Sequence, residues 1–243
     1  MSKKLPYLVS FVLVLSVAGN ASADLVAHWA FDEGSGTTAF DSSGNGHDGT
    51  LIGDPKWVTG KIGGALEFNG TDSIIDIPYS PSMTPSEGTT MSAWVFPTDT
   101  TRSCIVGQFQ GYGMALLGGL QLKSVIWGAD WVLSDVTIPM GEWSHVAMTW
   151  DVTNAERMIF LNGELVGQRG DSAVPNVQNN MGIGLWVGWT GGDDSFMGII
   201  DDVRIYDHIL SEVELLGAMT GEVFPYAFGP TPEDGALLEA TWA

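Results

Sequence analysis

The sequence predicts an all-β protein, a two-sheet antiparallel jelly-roll sandwich with one short C-terminal helix. Three observations predict this fold. The chain has 32 glycines among its 243 residues, which is typical of many tight turns. Short apolar or alternating runs recur between those turns. Only residues 210–216 indicate a helix, with Ser211 as N-cap and Glu214 completing a capping box.

The apolar runs place the strands in chain order. The first covers 25–31, and two more, 65–68 and 74–77, flank a turn sequence at 69–72. Asn162-Gly163 between two apolar runs predicts a type I′ hairpin turn, because both positions require positive φ. The remaining predicted strands are 89–96, 104–109, 112–117, 143–150, 158–161, 164–167, 182–188 and 196–206.

The N-terminus has the pattern of a secretory signal. Lys3 and Lys4 precede an apolar run over 5–18, and small residues follow at 21–23. The run is too short for a membrane-spanning helix, which disfavours the alternative of an uncleaved anchor. We therefore predict a signal peptide at 1–23, one domain at 24–219, and a linker or the start of a further module at 220–243. The expected location is secreted or at the cell surface, without membrane insertion after cleavage.

Charge and cysteine content limit the possible partners. The formal net charge is −20, which repels nucleic acid and anionic lipid. Cys104 is the only cysteine, so no disulfide can form within the chain. The excess of carboxylates instead suits a hard cation such as calcium.

Three ordered stretches carry a resemblance to a known family. They are AHWAFDEGSG at 27–36 with DSSGN at 41–45, WSHVA at 143–147 through LNGE at 161–164, and FMGIIDDVRIY at 196–206. In this order and spacing they resemble the laminin-G-like jelly-roll domains of the concanavalin A-like lectin/glucanase superfamily. The resemblance implies two stacked antiparallel sheets and a mostly non-catalytic module that binds glycans or extracellular proteins, often with calcium. Many members carry a disulfide that this chain cannot form.

Motifs for catalysis are missing from the sequence. It contains no Glu-x-Asp-x-x-Glu strand for retaining glycoside hydrolysis, no His-x-x-x-His and no Gly-x-Ser-x-Gly. His145 is predicted to be a buried, hydrogen-bonded core histidine. The sequence thus favours a binding module over an enzyme. Two alternatives stay open: a structural or adhesive spacer, and a divergent polysaccharide hydrolase using Asp193 and Asp194.

Four tryptophans are candidates for glycan binding because they lie beside glycines or polar residues, where exposure is plausible. Exposed aromatic rings stack on sugar faces, while nearby polar groups bind the hydroxyls. The alternative is that these are core residues of the sandwich. The candidates are Trp127, Trp131, Trp186 and Trp189.

The loop at 41–49 is the candidate calcium site, because it combines acidic and amide side chains with glycines. The resemblance implies that this loop lies near the aspartate of the last long strand. Adjacent strand residues are expected to point to opposite faces, so only one of Asp201 and Asp202 can join the site. The alternative is an Asx-type turn at 41–49, with Asp201 pairing Arg204 or capping a turn. The candidate ligands are Asp41, Asn45, His47 and Asp201, with Asp202 as the alternate.

Overall fold

The computed structural model describes residues 25–129, 131–170, 178–188 and 194–221. The predicted signal peptide, residues 222–243 of the predicted linker, and Trp189 lie outside these ranges. Within them the elements are β1 Leu25–Trp29, β2 Thr38–Ala39, β3 Gly49–Ile52, β4 Lys56–Thr59, β5 Gly64–Asn69, β6 Ile74–Ile77, β7 Gly88–Pro97, β8 Ser103–Gln108, β9 Tyr112–Leu117, β10 Gln121–Ile126, β11 Val132–Thr137, β12 Ser144–Asp151, β13 Glu156–Leu161, β14 Glu164–Gly170, β15 Met181–Ile183, β16 Met197–Tyr206 and α1 Glu212–Thr220.

The strands form two antiparallel sheets, which confirms the predicted jelly-roll sandwich. Sheet I has the order β14-β13-β12-β7-β16-β5-β4, and sheet II has the order β11-β10-β9-β8-β15-β6-β3-β2. The first half of β16 pairs with β5, while its second half pairs with β1. The first and last strands of the described domain therefore meet in sheet I.

The core lies between the sheets, and alternate residues of β7 enter it. Met91, Ala93 and Val95 of β7 belong to the main buried cluster, as does Trp150 of β12. Burial of such side chains contributes about 25 cal/mol per Å² of apolar surface. Since Trp94 alternates with the core residues of β7, its side chain lies on the outer face of sheet I.

Local turn and cap signals predict the structure well. Asn162 and Gly163 have φ values of 52° and 84°, which confirms positive φ at both turn positions. The capping box of Ser211 and Glu214 is present, and Gly221 ends α1 in the left-handed region. The helix nevertheless covers 212–220 rather than 210–216, because Ser211 caps it from outside and packing continues beyond 216.

The predicted strand at 182–188 is wrong over most of its length. Strand β15 ends at Ile183 because Gly184 has a φ of +85°, which turns the chain out of the sheet. A Cβ on Gly182 would lie 2.0 Å from the carbonyl oxygen of Leu185. The segment after Gly184 therefore folds back against the strand that it has just left.

Helix α1 covers part of the outer face of sheet I. Leu215 and Ala218 pack with Ala147 and Phe160 of the sheet, and the Trp94 indole donates to the Met219 carbonyl at 3.0 Å. Within the described ranges no helix is long and apolar enough to cross a membrane. The described helix therefore packs on sheet I.

Candidate functional site

A row of glycines crosses sheet II on its outer face. Gly182 of β15 pairs with Gly107 of β8, which pairs with Gly113 of β9. A Cβ on Gly107 would lie 2.5 Å from the Trp186 ring, and one on Gly113 would lie 3.1 Å from it. The Trp186 indole thus packs directly on the backbone of two strands, at a distance that only glycine permits.

Small side chains pack against Trp186 and hold it in place. Cys104 and Ala115 form a buried cluster with it, against which Phe109 and Val125 pack. Trp186 keeps only 8% of its surface exposed. The indole therefore forms the wall of a cavity over sheet II rather than a projecting ring.

Two exposed tryptophans stand at the edge of this cavity. Trp127 is 52% exposed and Trp131 is 45% exposed, and both lie in the connection between β10 and β11. The Trp127 amide donates to the Gly111 carbonyl at 2.8 Å, and its ring meets Phe109 edge to face at 5.8 Å. The loop is thereby fastened to the β8–β9 turn, which holds Trp127 in place before any ligand arrives.

Polar groups line the same cavity. Arg102 forms an ion pair with Asp194, and the Gln108 amide donates to the Asn179 carbonyl at 3.1 Å. The Lys123 ammonium lies 4.3 Å from the centre of the Trp131 ring. The cavity thus combines aromatic surfaces with a few fixed hydrogen-bonding groups, which is the usual composition of small-ligand sites.

The structure brings together three of the four predicted tryptophans. Trp127, Trp131 and Trp186 line one cavity, and Trp189 lies outside the described residues. Sequence reasoning missed Lys123, because β10 was not predicted as a strand. Of the two aspartates considered for hydrolysis, Asp193 is outside the described residues. Asp194 is bound by Arg102.

The carboxylate of Asp41 organises the loop at 41–49. Its Oδ1 accepts from the amides of His28 and Ser43 at 3.0 and 2.9 Å, and its Oδ2 accepts from the amide of His47 at 2.9 Å. Burial alone would raise the pKa of Asp41, but these hydrogen bonds outweigh it and lower the pKa. The geometry is that of an Asx-type turn, the alternative that the sequence left open.

Asn45 and His47 connect the same loop to its surroundings. The Asn45 amide nitrogen donates to the carbonyls of Leu25 and Val26 at 2.8 and 3.0 Å. The His47 carbonyl accepts from the Trp29 indole at 2.8 Å. These contacts fix the loop on β1.

Asp201 and Asp202 were predicted to point to opposite faces of the strand, and this prediction is wrong. The pairing of β16 with β7 shifts register between Asp201 and Arg204, and Asp202 has a φ of 49°. Ile200 and Val203 both remain in the core, so this β-bulge places the two intervening aspartates on the outer side of sheet I. The alternation rule fails because a bulge adds one residue to the strand.

The two aspartates bind different partners. Asp201 Oδ2 accepts from the amides of Lys61 and Ile62, each at 2.8 Å, and so caps the turn before β5. Asp202 Oδ1 lies 2.6 Å from His28 Nε2 and accepts from Arg204 at 3.1 Å. Arg204 therefore pairs with Asp202 rather than with Asp201.

These contacts give each predicted calcium ligand a structural role of its own. In the part of the chain that the structure describes, no three histidine, cysteine, aspartate or glutamate residues are grouped so that they could hold a metal ion. Backbone and amide oxygens also bind calcium, so calcium binding stays a prediction that a melting experiment decides.

Comparisons with known proteins agree with the fold. The mouse (Mus musculus) pentraxin-related protein PTX3 is 30% identical over 139 residues, which are 50% of this chain and 36% of PTX3. The chain thus spans about a third of the length of this curated relative. Domain 4 of AbnA, a GH43 extracellular arabinanase from Geobacillus stearothermophilus, was solved in complex with arabinotriose. It is 26% identical with a TM-score of 0.65, over 80% of this chain and 98% of that domain.

A more distant structure shows the fold alone. Botulinum neurotoxin type C, whose cell entry depends on two ganglioside molecules, is 11% identical with a TM-score of 0.64. The match covers 84% of this chain and 53% of that one. A family description, the laminin G type of the concanavalin A-like lectin/glucanases superfamily, matches residues 69–215. With this match over more than half of its length and with its jelly-roll sandwich, the chain belongs to the concanavalin A-like lectin/glucanases superfamily.

Proposed function

We propose that this domain is a carbohydrate-binding module of a secreted or cell-surface protein, and that it binds sugar in the cavity over sheet II. The single observation that carries the proposal is the pair of exposed indoles, Trp127 and Trp131, beside the buried Trp186 and several fixed polar groups. Exposed tryptophans offer large apolar faces to sugar rings at little entropic cost. The signal-like N-terminus supports the extracellular location.

The arabinanase domain supports a binding rather than a catalytic role. Its chain is almost completely covered by the match, and it was solved with arabinotriose bound. The sequence also lacks the paired carboxylates of retaining glucanases. We therefore infer a non-catalytic module whose ligand is an oligosaccharide. A structural calcium ion in the loop at 41–49 belongs to the same proposal and is tested separately below.

A glycan array tests the proposal. The wild-type domain is expected to bind at least one class of oligosaccharide, and arabinotriose is a direct first probe. Trp127→Ala and Trp131→Ala are each expected to weaken binding by about tenfold or more, because tryptophan is enriched among the few residues that dominate the affinity of an interface.

Phe40→Ala is the matched control, because Phe40 is an aromatic residue of similar exposure, at 56%, and does not line the cavity. The Phe40 variant is expected to bind like the wild type. Undiminished binding by both tryptophan variants would contradict the assignment of the site, and a silent array would contradict the function.

A further inference from the structure

Lys123 is a buried cation that no described carboxylate contacts directly. Its side chain lies on the outer side of β10, in the wall of the cavity, and the residue is only 5% exposed. The ammonium rests over the Trp131 ring, and it forms neither a hydrogen bond nor an ion pair with any described residue. Burial lowers the pKa of Lys123 below its ordinary value, which reflects the cost of an ammonium removed from water.

Two other buried or half-buried cations contact described carboxylates directly. Arg204 contacts Asp202, and Arg102 contacts Asp194 in the same cavity. The chain has 29 acidic residues against 9 basic ones, so carboxylate partners are plentiful. Asp194 attracts Lys123 electrostatically, but it forms its ion pair with Arg102, so no described carboxylate contacts the Lys123 ammonium directly. A buried charge without a direct partner destabilises a fold. Because the Lys123 ammonium lies in the wall of a cavity, a bound ligand can supply the anion that contacts it.

The net charge of the described cavity lining also favours an anionic ligand. Because Arg102 and Asp194 neutralise each other, Lys123 leaves the described lining of the cavity with one positive charge. We propose that the sugar bound in this cavity carries an anionic substituent, a carboxylate or a sulfate ester, that pairs with Lys123 while the sugar ring contacts Trp131. The inference rests on the proposed carbohydrate-binding function and names the chemical class of its ligand.

The net charge of the chain limits the form of this ligand. A formal charge of −20 repels long polyanions. At physiological salt the Debye length is about 8 Å, so distant carboxylates are screened while a direct contact with Lys123 is not. A short oligosaccharide, or a chain end with one charged unit, is therefore expected to bind better than a long, uniformly charged polymer.

Calorimetric titration with matched pairs of oligosaccharides tests the inference. The carboxylate arm compares trigalacturonate with its methyl ester, and the sulfate arm compares a carrageenan tetrasaccharide with its desulfated form. In at least one arm the charged member is expected to bind about tenfold or more tightly than the neutral member. The arm that responds identifies the anion.

Substitutions at Lys123 separate charge from packing. Lys123→Gln is expected to abolish the preference for the charged member, while Lys123→Arg is expected to retain it. The control is Lys61→Gln, because Lys61 also rests on a tryptophan, 4.8 Å from the Trp94 ring, but is exposed and does not line the cavity. This variant is expected to behave like the wild type.

Two failures are distinguishable. Equal binding of charged and neutral members, unchanged in Lys123→Gln but weakened in Trp127→Ala, would overturn the anionic ligand and leave the carbohydrate-binding function intact. If the glycan array is silent and none of these oligosaccharides binds, the proposed function fails and the inference fails with it.

Discussion

Asp201, Trp94 and His145 form a row of buried side chains across the outer side of sheet I. Asp201 pairs in register with Trp94, and Trp94 pairs with His145. Burial raises the pKa of Asp201 to about 7 and lowers that of His145 to about 4. His145 is buried as predicted, but its Nε2 finds no hydrogen-bond partner among the described residues. The folded domain therefore favours the neutral form of both groups.

The two groups affect stability in opposite directions between about pH 4 and 6.5. Between these pH values the folded domain holds the Asp201 proton that the unfolded chain has lost, so the stability contributed by Asp201 falls as pH rises. The unfolded chain holds the His145 proton that the folded domain has lost, so the stability contributed by His145 rises with pH. The two effects largely cancel in the wild type.

Asp201→Asn is expected to remove the opposing contribution, so that the pH dependence of stability due to His145 becomes visible. Its free energy of unfolding should rise between about pH 4.5 and 6.5 by an amount on the order of 2 kcal/mol relative to the wild-type profile. His145→Gln should show the opposite trend. Urea denaturation at several pH values measures both, with Asp54→Asn at an exposed position as the control. Parallel profiles for the three variants would contradict this assignment of the two pKa shifts.

At the scale of elements, the glycine row positions the wall of the cavity. A Cβ on Gly107 would lie 2.5 Å from Trp186 and 2.6 Å from the Tyr112 carbonyl oxygen. Gly107→Ala is expected to lower the free energy of unfolding by about 1–3 kcal/mol, the usual cost of overpacking, and to displace Trp186. Denaturation and tryptophan fluorescence measure the two effects.

Gly118→Ala is the matched control, because a Cβ there meets nothing closer than 3.9 Å. It is expected to leave stability and fluorescence nearly unchanged. If Gly107→Ala is as neutral as this control, Trp186 does not depend on the glycines for its position.

The loop at 41–49 has two possible sources of order, its own hydrogen bonds and a calcium ion. Asp41→Ala removes three accepted hydrogen bonds and is expected to cost about 3 kcal/mol with or without calcium. If calcium also binds, it should raise the melting temperature of the wild type by a few degrees, with magnesium a poor substitute. Identical melting curves in calcium and in chelator would contradict the predicted calcium site in the loop at 41–49.

Sequence rules for turns and helix caps gave correct predictions, because these structures depend on residues that are close together in the chain. The Asn162-Gly163 turn and the Ser211 capping box depend on residues a few positions apart, and both are present. The bulge at Asp202 depends on tertiary pairing instead, and no periodicity in the sequence encodes that pairing, so the alternation rule failed there. Strand β15 was predicted too long because the apolar run continues past Gly184, whose φ of +85° ends the strand.

At the scale of the whole molecule, the two sheets have different outer surfaces. Helix α1 packs on sheet I, while the row of glycines and the exposed tryptophans lie on sheet II. The sequence singled out three of the tryptophans that line the cavity by their polar neighbours. It could not reveal Lys123, because the burial and isolation of that ammonium arise only when β10 joins the sheet.

Sugar is proposed to bind on the outer face of sheet II. The most direct test is an NMR titration of the indole N–H resonances with a glycan that the array identifies, assigned by single tryptophan replacements. The resonances of Trp127 and Trp131 are expected to shift, while that of Trp57, whose indole donates to the Gly36 carbonyl away from the cavity, stays in place. Saturable binding that leaves Trp127 and Trp131 unmoved would contradict the account.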